Sequence, residues 1–146
     1  YGQAKFDAST SLATAKGDVK ANYVEFMYNL TGESWADAYK GGAFSGIKPK
    51  SNFTANGGSG AWQLGLRYST YDASDLTLAG TSTSRQNSDK GNTTTIGVNW
   101  LLNPNARVML NFAMTKFNTA VTPTDTSGLG SVDSEKVISL RTQLNF

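Results

Sequence analysis

Residues 132–146 read VDSEKVISLRTQLNF, and their polarity alternates with a period of two. Ile138, Leu140, Leu144 and Phe146 fall on one side, with Thr142 the only polar member of that set. Ser139, Arg141, Gln143 and Asn145 fall on the other. Successive Cβ atoms of a strand point to opposite faces, so this pattern is a strand with one apolar and one polar side. A soluble sheet edge shows the same alternation. Ending the strand on an aromatic residue is less usual there.

That terminal stretch resembles the closing strand of bacterial outer-membrane β-barrels, and the composition agrees with such a chain. Only 38% of the 146 residues are hydrophobic and the mean hydropathy is −0.36. No apolar run approaches the roughly 20 residues of a transmembrane helix. A barrel escapes that test, because only alternate residues of its strands face lipid. Fifteen Gly, three Pro and abundant Ser, Thr and Asn suit strands joined by turns. There is no Cys and no His, which removes disulfides, thiol chemistry and His-based acid–base catalysis. No His and no nearby base arrangement supports a Ser or Thr nucleophile, so an enzyme is not expected, and no metal or cofactor is called for. The net charge of +2 is too small to indicate nucleic acid. The chain opens at Tyr1 without Met or a signal segment, which reads as a processed chain or a piece of a longer one.

Six strands are expected: about 1–9, 20–30, 61–71, 92–102, 106–117 and the terminal stretch. The second sets Val24, Phe26, Tyr28 and Leu30 against Tyr23, Glu25, Met27 and Asn29. The third sets Trp62, Leu64, Leu66 and Tyr68 against Gln63, Gly65, Arg67 and Ser69. Val108, Leu110, Phe112 and Met114 give the fifth an apolar side. Each is close to the 9–11 residues of a tilted membrane strand. Asn103-Pro104-Asn105 is a tight turn, whereas 72–91 and 118–131 are long polar loops. Short turns at one end and long loops at the other are the pattern of periplasmic and extracellular connections. Under that topology Trp62, Trp100, Tyr28 and Phe146 reach the periplasmic rim on the lipid side, where an aromatic girdle belongs.

Residues 31–60 break the rule, being far too long for a periplasmic turn. This insertion carries Trp35, Tyr39, Phe44, Ile47 and Phe53. It is expected to fold into the lumen as a constriction and to bury these groups, the alternative being a periplasmic flap. Six strands are too few for a closed single-chain barrel, which needs about eight. The fold expected is therefore all-β, an antiparallel transmembrane β-barrel of which 1–146 is one segment.

Several blocks, taken in order, resemble one family. These are Leu30-Thr31-Gly32-Glu33, Gly42-Ala43-Phe44, Ile47-Lys48-Pro49-Lys50, Trp62-Gln63-Leu64-Gly65-Leu66-Arg67-Tyr68-Ser69 and Asn99–Val108. Together they are similar to the phosphate- and polyphosphate-selective porins of the outer-membrane porin O/P type, with Gln63 standing where the family pattern usually has Glu. The resemblance implies a trimeric, sixteen-stranded channel of the bacterial outer membrane, of which this chain would be the C-terminal portion, about six strands. It implies passive diffusion of anions, phosphate or polyphosphate, and contact with outer-membrane lipid and lipopolysaccharide.

The residues themselves supply candidate cations for such a lumen. Arg67, Arg107, Arg141 and Lys5 lie on the polar parity of their strands, and Lys48 and Lys50 would join them if 31–60 enters the lumen. Guanidinium groups stay charged and present forked donors that suit phosphate oxygens, and rings of Arg and Lys are how anion pores select. Glu25, Asp7 and Glu135 share that parity, so cross-strand pairing that merely hydrates a wall is the competing reading. Lys116 and Lys136 fall at the outer rim on the lipid parity, in reach of head-group phosphates. A structural or adhesive barrel with a plugged lumen, a barrel hydrolase and a soluble β-sandwich stand as alternatives.

Overall fold

Alternation of small or polar with large apolar side chains carries most of this chain into strands. The computed structural model describes residues 2–9, 13–80, 88–121 and 130–146. The long strands are β1 (Gly2–Ser9), β2 (Ala13–Asn29), β5 (Ala61–Asp72), β7 (Lys90–Asn103), β8 (Ala106–Val121) and β9 (Val132–Leu144). Between β2 and β5 lie a single helical turn, α1 (Trp35–Ala38), and the short strands β3 (Tyr39–Lys40) and β4 (Ala43–Phe44). A further short strand, β6 (Thr77–Gly80), interrupts the loop after β5.

The order of hydrogen-bonded neighbours is β1-β2-β5-β7-β8-β9, with β6 also paired to β2. β1 and β9 end the series among the described residues, which is an open sheet and not a closed ring. Sequence and structure differ mainly at β2, which begins at Ala13 instead of near Lys20. Its early part has weak apolar alternation and is held by partners: Gly2↔Ala21 through Ser9↔Thr14 on one side, Ala13↔Gly80 through Lys16↔Thr77 on the other. Backbone pairing to two neighbours supplies what local propensity lacks.

The chain divides into two units. The first is Tyr1–Val24, Arg67–Thr94 and Met114–Lys136. It is held by strand pairing and exposed polar links, including ion pairs Lys20–Asp75 at 3.3 Å and Lys90–Asp72 at 2.9 Å. The Tyr71 hydroxyl donates to the Ser88 carbonyl at 3.1 Å, and the Thr93 and Thr115 hydroxyls meet at 3.0 Å. The second unit is Glu25–Leu66, Thr95–Ala113 and Val137–Phe146. It contains a small buried apolar cluster of Ala38, Ile47, Ala61 and Leu101. Here Asn103 caps the β7–β8 turn, its side-chain oxygen accepting from the Asn105 N–H at 2.8 Å.

The expected burial of the apolar groups in 31–60 holds for Ile47 alone. Phe44 is 68% exposed, and Trp35, Tyr39 and Phe53 are exposed as well. Trp35 and Tyr39 instead pack on Phe44, with ring centroids 6.4 and 4.9 Å apart. Three partly wet rings gathered on each other form a satellite cluster, not a core.

Candidate functional site

In the second unit the polar parity of β2, β5 and β7 builds a chain of amides. Gln63 donates to the Asn29 side-chain oxygen at 2.8 Å and accepts from Asn99 at 3.4 Å. Asn29 and Gln63 are buried, and each finds partners, as buried amides must. Asn29 spends its own N–H group on the Glu33 carbonyl at 2.8 Å. This chain of side chains therefore ties the start of 31–60 to the sheet.

On β8 the Arg107 guanidinium donates from Nε and Nη2 to the side-chain oxygen of Gln143, at 3.1 and 2.7 Å. Arg107 lines a cavity of about 360 Å³ with Gln63, Asn99 and Leu101 from the sheet and Trp35, Ser45, Gly46 and Ile47 from 31–60. No carboxylate is among its lining residues. Arg141, two residues before Gln143, is exposed and has no hydrogen-bond or ion-pair partner among the described residues.

Lys48 and Lys50 line a second cavity of about 380 Å³ with Glu33, Asp37, Lys40 and the same Ser45–Ile47 stretch. Glu33 is buried there. Its carboxylate accepts from the Thr31 hydroxyl and, at 3.2 Å, from the Lys50 N–H. Burial alone would raise its pKa. The Thr31 hydroxyl, the N–H groups of Glu33 and Lys50 and the Lys50 charge outweigh that and hold the carboxyl below its ordinary value. Gly32 takes a φ of +82°, which turns the chain between the two side chains.

In the first unit the Arg67 guanidinium lies over the Tyr23 ring, 4.3 Å from its centroid. Both residues line a cavity of about 480 Å³ with Ser69, Tyr71 and Thr93. Lys5 is exposed on β1 and stands opposite Asp18 in register.

The even-numbered side of the second unit is apolar and open. Phe26, Tyr28, Leu64, Leu66, Ile138, Leu140 and Leu144 are all exposed. Trp62 and Trp100 stack at 5.1 Å with an interplanar angle of 17°, and Phe53 meets Trp100 edge-on at 4.9 Å. The Trp100 indole N–H donates to the Ser59 carbonyl at 2.8 Å. Of the four aromatic residues expected at one rim, the structure brings Trp62 and Trp100 into ring contact. Tyr28 and Phe146 stay exposed.

Sequence reasoning missed Glu33, the amide chain and the Tyr23 platform. A signal was present for the first: Thr31 and Glu33 flank a glycine inside one of the quoted blocks. Among the described residues there is no group of three or more Asp or Glu able to hold a metal ion.

An antiparallel sheet with hydrogen-bonded amides and arginines on one side and an exposed apolar band on the other has the wall pattern of the porin class. The chain belongs to the phosphate-selective porin O and P family, whose model matches residues 3–146. This is a family of outer-membrane channels of bacteria and not a class of enzymes. Searches of the curated proteins and of the solved structures gave no match.

Proposed function

We propose that the chain forms part of the wall of an outer-membrane β-barrel through which anions, phosphate or polyphosphate among them, diffuse passively. One observation carries this reading: Arg67, Arg107 and Arg141 have no carboxylate partner among the described residues. Arg67 rests on a tyrosine ring and Arg107 on an amide oxygen, so both are oriented with their charge intact. Uncompensated cations on a water-filled wall raise the local anion concentration and lower the entry barrier, with no bond made or broken. Lys5 adds to the same lumen, and Lys48 and Lys50 add to it from 31–60, which folds inward as the constriction.

The apolar side carrying Phe26, Leu64 and Leu140 faces lipid in this reading, since so broad an exposed apolar band is a liability in water. Trp62, Trp100, Tyr28 and Phe146 form its interfacial girdle, and Lys116 and Lys136 meet lipopolysaccharide phosphates. The complete barrel has sixteen strands and assembles as a homotrimer.

The test is the reversal potential of the full-length protein in a planar bilayer across a salt gradient, followed by titration of phosphate into chloride. Anion selectivity with block by phosphate is expected. Cation selectivity would overturn the reading, and a protein that inserts without conducting would favour a plugged structural barrel.

A further inference from the structure

One carboxylate in 31–60 reaches both ends of a loop. Glu33 takes the Thr31 hydroxyl on one oxygen and the Lys50 N–H on the other, 17 residues along the chain. The Thr31 hydroxyl also accepts the Trp62 N–H at 3.1 Å, and the Glu33 carbonyl accepts from Asn29 at 2.8 Å. Between the two ends run Lys40, Lys48 and the Ser45–Ile47 stretch that walls the Arg107 cavity. Between residues 33 and 50 the only buried apolar residues are Ala38 and Ile47, so apolar packing alone gives the loop a thin hold.

We infer that Glu33 is a positioning residue: it pins the loop from 33 to 50 against the face that carries Arg107, and so sets the bore beside that arginine and the place of Lys48 and Lys50. Its effect on conduction rests on the proposed channel; the pinning itself does not. A buried acceptor that takes a hydroxyl and a backbone N–H at once makes charge-assisted bonds, the stronger kind. Asp37 from α1, Lys40 from β3, and Lys48 and Lys50 are the charged groups that line the cavity with it. Asp37 is the other carboxylate in that lining. A carboxylate held below its ordinary pKa stabilises the pinned loop above that ordinary value. The stabilisation is lost as pH falls through the lowered one.

The experiment uses the full-length protein with Glu33→Ala, Glu33→Gln, Glu33→Asp and Asp37→Asn. In detergent micelles at neutral pH, tryptic cleavage after Lys40 and Lys50 should be about tenfold faster in Glu33→Ala than in the wild type, the scale of a lost charge-assisted hydrogen bond. Glu33→Asp should restore part of the protection. In planar bilayers the wild-type single-channel conductance should change as pH is lowered below the ordinary range of a glutamate carboxyl. That change should survive in Asp37→Asn and vanish in Glu33→Gln. Equal cleavage of Glu33→Ala and wild type, or a Glu33→Gln pH profile that superimposes on wild type, would overturn the inference. A wild type that does not conduct would sink the channel reading, leaving cleavage to decide the pinning alone. If Glu33→Ala does not refold, Glu33→Gln carries both measurements.

Discussion

The two nitrogens that Arg107 turns toward Gln143 meet a neutral amide oxygen, at 3.1 and 2.7 Å, and not a carboxylate. Gln143 in turn donates to the Asn145 side chain at 3.0 Å. The guanidinium is thus aimed by β9 while its charge stays available. Gln143→Glu should keep the aim and cancel the charge. At about 6 Å, with an effective dielectric between those of protein and water, one added charge is worth roughly 1 kcal/mol, or about fivefold in local anion concentration. The reversal potential should shift toward zero by a corresponding amount, and Arg107→Gln should do the same. An unchanged potential in both variants would remove Arg107 from the selectivity mechanism.

Trp62, Trp100 and Trp35 are the only indoles in the chain as given, which makes their surroundings separable. Trp62 and Trp100 stack on the apolar side, whereas Trp35 lines the cavity beside Arg107. In protein reconstituted with brominated lipid, a variant in which phenylalanine replaces Trp35 should lose most of the fluorescence of Trp62 and Trp100. The variant retaining Trp35 in place of the other two should be nearly unquenched. Any further tryptophan in the full-length protein is replaced first. Strong quenching of Trp35 would place 31–60 in lipid or at the rim instead of in the lumen.

The strands were legible because their parity is written in side chains. Trp62, Leu64 and Leu66 against Gln63 and Arg67 can be read without a structure, and so can the Asn103-Pro104-Asn105 turn. The first residues of β2 were not legible. Lys16, Gly17 and Asp18 carry no period, and their strand exists because β1 pairs with all three and β6 pairs with the stretch from Ala13 to Lys16. The cations were found from their positions along the strands, but what holds them was not. A ring under Arg67 and an amide beside Arg107 depend on which strands become neighbours, and that is a long-range fact. The same limit hid Glu33, whose partner Lys50 lies 17 residues away.

Gln63 joins two amides across three strands, and its loss should be felt by both. Gln63→Leu leaves the Asn29 side-chain oxygen without the donor it has at 2.8 Å. A buried acceptor left unpaired costs about 1–3 kcal/mol. Equilibrium unfolding of the refolded protein in urea should show a loss of that size. Replacing Asn99, whose contact with Gln63 is 3.4 Å, should cost less. Equal costs at the two positions would mean that the chain of amides is not organised around Gln63.

Gly60 makes the sharpest backbone prediction, because two constraints act on it together. Its φ is +68°, a region that side chains with a Cβ rarely adopt. An added Cβ would also lie 2.4 Å from the Leu101 carbonyl oxygen and 3.1 Å from the Trp100 indole nitrogen. Backbone cannot swing aside as a flexible side chain can, so Gly60→Ala must shift β7 or the strand entry at Ala61. The strain of the left-handed conformation alone is about 1–3 kcal/mol, and the clash adds to it. The displaced neighbour is Trp100, whose N–H bond to Ser59 at 2.8 Å fixes the Trp62 stack. Gly60→Ala should therefore lower the refolding yield and red-shift the tryptophan emission. Gly46→Ala, where an added Cβ meets nothing within 4 Å, should do neither. A Gly60→Ala protein that unfolds at the wild-type urea concentration would show that the β7 end yields freely, and the close packing at this corner would then carry no stability.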